Sequence, residues 1–276
     1  MREIAVIGIG QTKVGEHWKK SLRELAGEAA LNAFQDAGIN RVDGVFVGNM
    51  MSGSANRQLQ LGAFIADWIG VRYSNAVHIE SACSSGAAAF RSAVMAVASG
   101  LMDVALAVGV EKMTDSPASE ITAELATAAD ADWEASQGVS FVALNALIMN
   151  RYMHEYGWTH ADFAPFSINA HANARHNPYA RLRSAITKND YLKAQMITPP
   201  INLMDASPMG DGAAAVILVP LEKTNHYPDK KFIKILASSA ATDTLAIHSR
   251  KDPLWLTAAE QSAKSAYQQA GISPSE

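Results

Sequence analysis

The chain reads as an α/β protein, a mixed sheet packed by helices and arranged in two similar halves, the second incomplete. Three observations predict this. A strand, a helix and a second strand follow one another within about the first fifty residues; a heptapeptide from that unit recurs 233 positions later; and the composition between them changes as it does across an insertion.

The opening strand is the apolar run Glu3–Ile9, with Gly8 and Gly10 read as its exit turn. A helix follows from Ser21, an N-cap with Glu24 three residues on in capping-box spacing. Its apolar residues Leu22, Leu25, Ala26, Ala29, Ala30, Ala33, Phe34 and Ala37 repeat at i, i+3, i+4 and i+7, and Gly38 ends it. The strand Val42–Gly48 comes next, completing a βαβ unit. After a loop of small residues (51–56), Leu59–Ile69 reads as a helix, Ala76–Glu80 as a strand, Cys83–Ser99 as a helix and Asp103–Val110 as a strand. The helix from Cys83 is alanine-rich and apolar nearly all round, which predicts burial on every side.

From Lys112 to about Ser207 the chain carries more charge, aromatic residues and proline, with helical stretches near 118–131, 141–156 and 163–174. This predicts an inserted, mostly helical subdomain. Gly210–Pro220 then returns to a buried strand.

The echo pairs Ala33-Phe34-Gln35-Asp36-Ala37-Gly38-Ile39 with Ala266-Tyr267-Gln268-Gln269-Ala270-Gly271-Ile272. The same offset carries the first helix's apolar face onto Trp255, Ala258, Ala259, Ser262, Ala263, Ala266, Tyr267 and Ala270, and the first strand onto the end of the apolar segment Phe232–Ala237 and its small-residue continuation. Two alanine-rich helices can match by chance, so the echo by itself does not establish a repeat. Read as one, it places the first half at residues 1–225, with the insertion at about 112–207, and the start of the second half at 226–276. A strand and helix without further partners bury their apolar faces poorly, so this reading expects a chain truncated early in the second half.

Composition narrows the function classes. With 49% apolar and 18% charged residues the chain is an ordinary globular sequence, and a net charge of −4 offers no basic face for nucleic acid. No signal peptide opens it, and the longest apolar stretch, 86–110, is broken by Arg91 and Asp103, so no membrane span is expected. One cysteine cannot form an internal disulfide and suggests a reducing, cytoplasmic setting. It cannot build a thiolate zinc site, and the eight histidines lack paired ligand spacing, so no metal is expected.

That cysteine, Cys83, lies in Glu80-Ser81-Ala82-Cys83-Ser84-Ser85-Gly86-Ala87-Ala88-Ala89-Phe90, where a strand hands over to a helix. Amide N–H groups of a helix's first turn favour an anion beside them, and the small residues after Cys83 leave room for a thioester and an oxyanion hole. A lone cysteine is also commonly an inert buried residue. A helix start favours an anion by only about 0.3–1 kcal/mol, so efficient nucleophilic catalysis calls for a base, usually histidine. His78, His154, His160, His171 and His176 do not declare such a role; each reads more simply as structural or solvated.

The segment ESACSSGAAAF, together with the opening IAVIGIGQTKVG and the long stretch from His176 to Pro220, resembles the thiolase family, in particular its archaeal and bacterial branch similar to sterol-carrier-protein-type thiolases. The resemblance spans the whole chain. It implies the thiolase fold, two similar halves with a loop domain inserted in the first, and an acyl-CoA acyltransferase, acetyl-CoA C-acetyltransferase in particular. Claisen condensation or thiolysis would run through an acyl-cysteine on Cys83. It implies coenzyme A thioesters as substrates and no separate cofactor. In the family a second cysteine and histidines of the second half move protons, in an HDAF-like motif, a glycine-rich histidine motif and a CxG motif. None of these occurs here, so Cys83 alone carries over as catalytic. The loop domain helps form the family's CoA site; Arg175, Arg181, Arg183, Lys188 and Lys193 fit CoA phosphates or a solvated basic loop equally, and none is assigned as a ligand. The expected partners are a second copy of the chain, as a homo-oligomer, and hydroxymethylglutaryl-CoA synthase joined through a small acyl-CoA-binding protein.

Two rival readings remain. A ketoacyl synthase-type condensing enzyme would pair its cysteine with His/Asn or His/His and lack the CxG cysteine. A non-catalytic, thiolase-like scaffold would bind acyl-CoA without turnover and has no need of a thiol at this turn.

Overall fold

A computed structural model describes residues 2–227 and 231–275. In chain order the elements are β1 (Ile4–Gln11), α1 (Leu22–Ala37), β2 (Gly44–Gly48), α2 (Leu61–Trp68), β3 (Asn75–Ile79), α3 (Ser85–Ala98) and β4 (Ala105–Glu111), then α4 (Ala118–Ala126), α5 (Phe141–Tyr156), α6 (Ala164–Ala174), α7 (Lys188–Lys193), β5 (Met196–Thr198) and β6 (Ile201–Asn202), and finally β7 (Gly212–Pro220), β8 (Ile233–Ile235) and α8 (Thr257–Ala270). Two compact units result, one formed by Met1–Asp115, Gly210–Ala241 and Ala259–Glu276, the other by Ser116–Met209 and Thr242–Ala258.

The first unit is built on a six-stranded sheet in the order β3-β2-β4-β7-β1-β8. β2 runs parallel to both β3 and β4, whereas β7 is antiparallel to β4 and to β1, and β8 antiparallel to β1. The sheet is therefore mixed, as the sequence predicts. Period-two alternation sorts its side chains onto two helical layers. Val45, Val47, Leu106, Val108, Ile217 and Val219 face a core shared with α1 and α2, while Phe46, Ala105, Ala107 and Leu218 face a core shared with α3.

α1 forms as its pattern dictates. The Ser21 hydroxyl accepts from the Glu24 N–H, the Glu24 carboxylate accepts from the Ser21 N–H at 2.7 Å, and Gly38 closes the helix in the left-handed region at φ 71°. Leu25, Ala26, Ala29, Ala30 and Ala33 are wholly buried. The alanines bring α1 so near β1 that the strand must be bare beneath it. A Cβ on Gly8 would lie 2.5 Å, and one on Gly10 2.0 Å, from carbonyl oxygens of Ala33 and Ala29. This corrects the reading of Gly8 and Gly10 as an exit turn: β1 runs through both, and they are glycine because the helix backbone lies against them.

α3 departs from expectation in two ways. The α-helix begins at Ser85, and Ala82–Ser84 form a 3₁₀ turn ahead of it. Its burial is one-sided: Ala89, Ala93, Val94 and Val97 face the sheet, while Gly86, Ala87 and Met95 are exposed. Small residues here serve close approach to the sheet on one side.

The echo is visible in the backbone. Gly271 repeats the left-handed cap of Gly38 at φ 69°, and the N–H groups of Gly271 and Ile272 reach the Tyr267 carbonyl as those of Gly38 and Ile39 reach that of Phe34. β8, just ahead of the position that the offset gives for the first strand's counterpart, pairs with β1 itself. None of the described residues of α8 is buried.

In the second unit, the β5–β6 hairpin is tied to the helices by Asp205. Its carboxylate accepts from the Tyr191 hydroxyl at 2.6 Å and the Asn202 N–H at 2.9 Å, with His160 Nε2 at 3.3 Å and the His160 ring stacked on Tyr191. Burial, then Asp205, pushes the Tyr191 phenol well above its usual range.

Overpacking a tight contact costs about 1–3 kcal/mol. Gly10→Ala is expected to lower unfolding free energy by at least that range in urea titration, whereas Gly15→Ala, which meets nothing within 4 Å, should change it by less than about 0.5 kcal/mol.

Candidate active site

β2, β3 and β4 end side by side at Gly48, Ile79 and Glu111. In open α/β sheets, ligands bind beyond the carboxyl ends of parallel strands, and the turn bearing Cys83 leaves β3 there. Ala82 takes φ 47°, a left-handed conformation that costs a non-glycine residue roughly 1 kcal/mol or more. Reversing the chain so sharply puts Cys83 one residue into the turn, and the side chain is exposed. The thiol is therefore not buried. The sequence placed Cys83 at the helix start; it stands two residues ahead of the first α-helical residue, in the 3₁₀ turn.

Hydrogen bonds within the turn hold this geometry. Ser85 is 4% exposed; its hydroxyl oxygen accepts the Ser81 N–H at 2.8 Å and its proton goes to the Ala82 carbonyl at 2.7 Å. The Ser84 N–H and hydroxyl both donate to the Ser81 carbonyl, at 2.9 and 2.7 Å. The Ala82 N–H donates to the Glu80 carboxylate. Beneath the turn the strands are bare. A Cβ on Gly48 would lie 2.3 Å from the Ser85 carbonyl oxygen, and one on Gly109 3.4 Å from the Gly86 Cα.

A second layer of polar groups supports the strand ends. The Glu111 carboxylate accepts from the Met50 and Met51 N–H groups at 3.1 and 3.2 Å and from the Asn49 amide at 2.8 Å. Burial pushes the Glu111 carboxyl up, against the pull of those hydrogen bonds and of nearby His78. Asn49 also donates to the Val110 carbonyl and accepts from the Ser52 N–H, and its carbonyl takes the His78 Nε2–H at 3.0 Å. Glu111 and Asn49 were not singled out from sequence. The available signal was a polar residue closing each apolar strand.

The remaining sequence candidates lie elsewhere. His160 belongs to the Asp205 cluster, the His171 ring bonds the Ser184 carbonyl, and His154 and His176 are exposed. Of the cationic candidates, Arg181 donates to the Met209 carbonyl and Arg183 to the Arg175 carbonyl, while Lys188 and Lys193 are exposed on α7. No hydrogen bond of the Cys83 turn comes from a histidine among the described residues.

Just outside the site, a buried ion pair fastens the chain where it leaves β4 and re-enters β7. Asp211 and Lys112 have no exposed surface, and Lys112 Nζ lies 3.0 Å from the Asp211 carboxylate and 2.8 Å from that of Asp115. Asp211 also accepts from the Thr114 hydroxyl (2.6 Å) and the N–H groups of His17, Met113 and Thr114. Burial opposes its ionisation, but these donors outweigh burial and hold the carboxyl at about 2.

A mixed sheet between helical layers, with an exposed thiol on a strained turn at the strand ends, defines an α/β protein whose one cysteine is accessible where ligands bind to such sheets. The chain belongs to the thiolase family: residues 4–222 match the family model described as "Thiolase, N-terminal domain". It is similar to the acetyl-CoA acetyltransferases of Methanothermobacter thermautotrophicus (41% identity over 276 residues) and Methanocaldococcus jannaschii (40% over 277), covering 99% of this chain in each case and 71% and 70% of those proteins. A solved structure described as "Ltp2-ChsH2(DUF35) aldolase" shares the fold at a TM-score of 0.80 with 23% identity, over 99% of this chain and 71% of that one. The protein is an acyltransferase of the thiolase type, and among the described residues no helix is long and apolar enough to cross a membrane.

A carboxyl depressed in the folded state stabilises it above the unfolded value and ceases to as pH falls through the folded one. A drop from 3.8 to about 2 corresponds to roughly 2 kcal/mol at neutral pH. Asp211→Asn should therefore unfold more easily than the wild type by about that amount or more at pH 7, with the gap closing between about pH 4 and pH 2 in urea titrations.

Proposed function

We propose that the protein transfers an acetyl group from acetyl-CoA, and that Cys83 is the residue that accepts it. The observation that carries this reading is the exposed thiol on the turn at the ends of β2, β3 and β4. The 40–41% identity to two proteins named for acetyl-CoA acetyltransferase activity supports the choice of acyl group. The Cys83 sulfur, deprotonated, attacks the thioester carbonyl; the bond from carbonyl carbon to coenzyme A sulfur breaks, coenzyme A leaves as the thiolate and takes up a proton, and the acetyl group rests on Cys83 as a new thioester. In this scheme backbone amides at the start of α3 stabilise the oxyanion of the tetrahedral intermediate. In the condensing direction the α-carbon of a second acyl-CoA gives up a proton and attacks the acetyl carbonyl, the new carbon–carbon bond replacing the bond to the Cys83 sulfur, which leaves as the thiolate; thiolysis is the reverse. Coenzyme A thioesters are substrates in this scheme, and no separate cofactor enters it.

The exposed, polar-clamped turn favours this reading over a pure scaffold, which gains nothing from a strained residue beside a thiol. We extend the proposal to a cytoplasmic homo-oligomer working with a second protein. Support for a partner comes from the structural relative, whose description joins it to a DUF35 protein; the hydroxymethylglutaryl-CoA synthase assembly implied by the sequence resemblance is the form to look for.

Incubation with acetyl-CoA followed by peptide mass spectrometry tests the chemistry. One acetyl group on the Cys83 peptide, lost on hydroxylamine treatment and missing in Cys83→Ala, is the expected result. A folded protein whose Cys83 stays unlabelled would refute the assignment.

A further inference from the structure

We propose that Ser85 is a positioning residue for the Cys83 thiol, its hydroxyl acting as a staple that keeps the 3₁₀ turn in the strained conformation that presents the sulfur; this rests on the reading of Cys83 as the acyl acceptor. Three features of the turn require such a staple. Ala82 sits at φ 47°, a conformation that relaxes unless its surroundings prevent it. Ser81, at φ −160° and ψ 49°, makes no side-chain cap to the turn. The turn is also short, so few backbone hydrogen bonds close it.

Ser85 supplies what is missing. It is the one residue from Ser81 to Ser85 that is buried, and its side chain spans the turn: Oγ accepts the Ser81 N–H at 2.8 Å and donates to the Ala82 carbonyl at 2.7 Å. The Ser85 N–H reaches the same Ala82 carbonyl. The peptide group before Ser81 is thus fixed through its N–H and the one after Ala82 through its oxygen, so the staple brackets Ser81 and Ala82, and Cys83 is attached directly to the second of these groups. The base of the staple cannot shift, because Gly48 lets the Ser85 backbone rest on β2 without an intervening Cβ. Ser84 differs in kind. Its hydroxyl also returns to Ser81, at 2.7 Å, but it is exposed, and the Ser84 N–H already reaches that carbonyl.

A staple of this sort acts on the rate of acyl transfer, because reacting atoms must meet within narrow limits of distance and angle, and has little effect on the affinity for the thioester or on reaction with a small alkylating reagent that approaches freely. The test compares wild type, Ser85→Ala, Ser85→Thr and Ser84→Ala for the single-turnover acetylation of Cys83 by acetyl-CoA and for alkylation by iodoacetamide. In Ser85→Ala, the acetylation rate constant should fall about 10- to 100-fold with half-saturation unchanged and alkylation within about twofold. Ser85→Thr, which keeps the hydroxyl, should recover most of the rate, and Ser84→Ala should stay near wild type. In the wild type, the Ser81 amide should be protected from hydrogen exchange. Acetylation of Ser85→Ala at the wild-type rate, or an unprotected Ser81 amide in the wild type, overturns the proposal while leaving Cys83 as acceptor; an unlabelled Cys83 in the wild type overturns both. The exchange measurement stands even where Ser85→Ala does not fold.

Discussion

The site depends on one steric condition: peptide backbone must touch peptide backbone where the start of α3 lies on the ends of β2 and β4. Gly48, Gly86 and Gly109 meet it, with hypothetical Cβ contacts of 2.3 Å at Gly48 and 3.4 Å at Gly109. A helix held off by even one methyl group would carry the Cys83 turn away from the strand ends. The same device operates on the opposite face, where Gly8 and Gly10 admit α1. Both close approaches place glycine on the strand, opposite alanines of α1 on one face and opposite Ser85 and Gly86 of α3 on the other. Dense packing of this kind makes few large apolar contacts but leaves little freedom to relax.

Rigid backbone contact alone would leave polar groups stranded at the sheet's end, and three buried side chains resolve this in different ways. Glu111 gathers the amides of the loop after β2; burial pushes its carboxyl up, so its charge is held with difficulty. Asp211 meets the same burial with more donors and with Lys112, and its carboxyl falls to about 2. Ser85 carries no charge and spends both of its hydrogen-bonding directions on one turn. The charged pair sits where the chain leaves and re-enters the sheet, a place that calls for a strong, directional anchor. The neutral hydroxyl sits inside the turn that carries the thiol, where it bonds only backbone groups.

These differences explain what could be read from the residues alone. The capping box at Ser21, the apolar stripe of α1 and the αL closure at Gly38 are local rules, and the structure follows them residue by residue. Cys83 was legible because strand, turn and helix signals converge on it. Gly8 and Gly10 were misread because their reason lies in residues of a helix about twenty positions away, and a glycine required by close approach looks the same in sequence as one required by a turn. The one-sided burial of α3 was missed for a related reason: alanine fits a crowded interface and an open face alike, so composition does not say which side of a helix is covered. Asp211 and Glu111 acquire their meaning from partners about 60 to 200 positions away, beyond the reach of any local pattern.

The internal echo separates these two levels within one molecule. Phe34 and Tyr267 accept from equivalent amides, and Gly38 and Gly271 turn the chain at φ 71° and 69°. The local cap is therefore reproduced in both segments, although Tyr267 and Gln269 stand in the second where Phe34 and Asp36 stand in the first. Burial is not: the apolar face of α1 is sealed against β1 and β7, whereas its counterpart on α8 has no buried residue among those described. Helix and cap need only their own sequence, but an apolar stripe contributes stability in proportion to the surface it removes from water. What makes α1 a structural element of the core is then the glycine-bared strand beneath it.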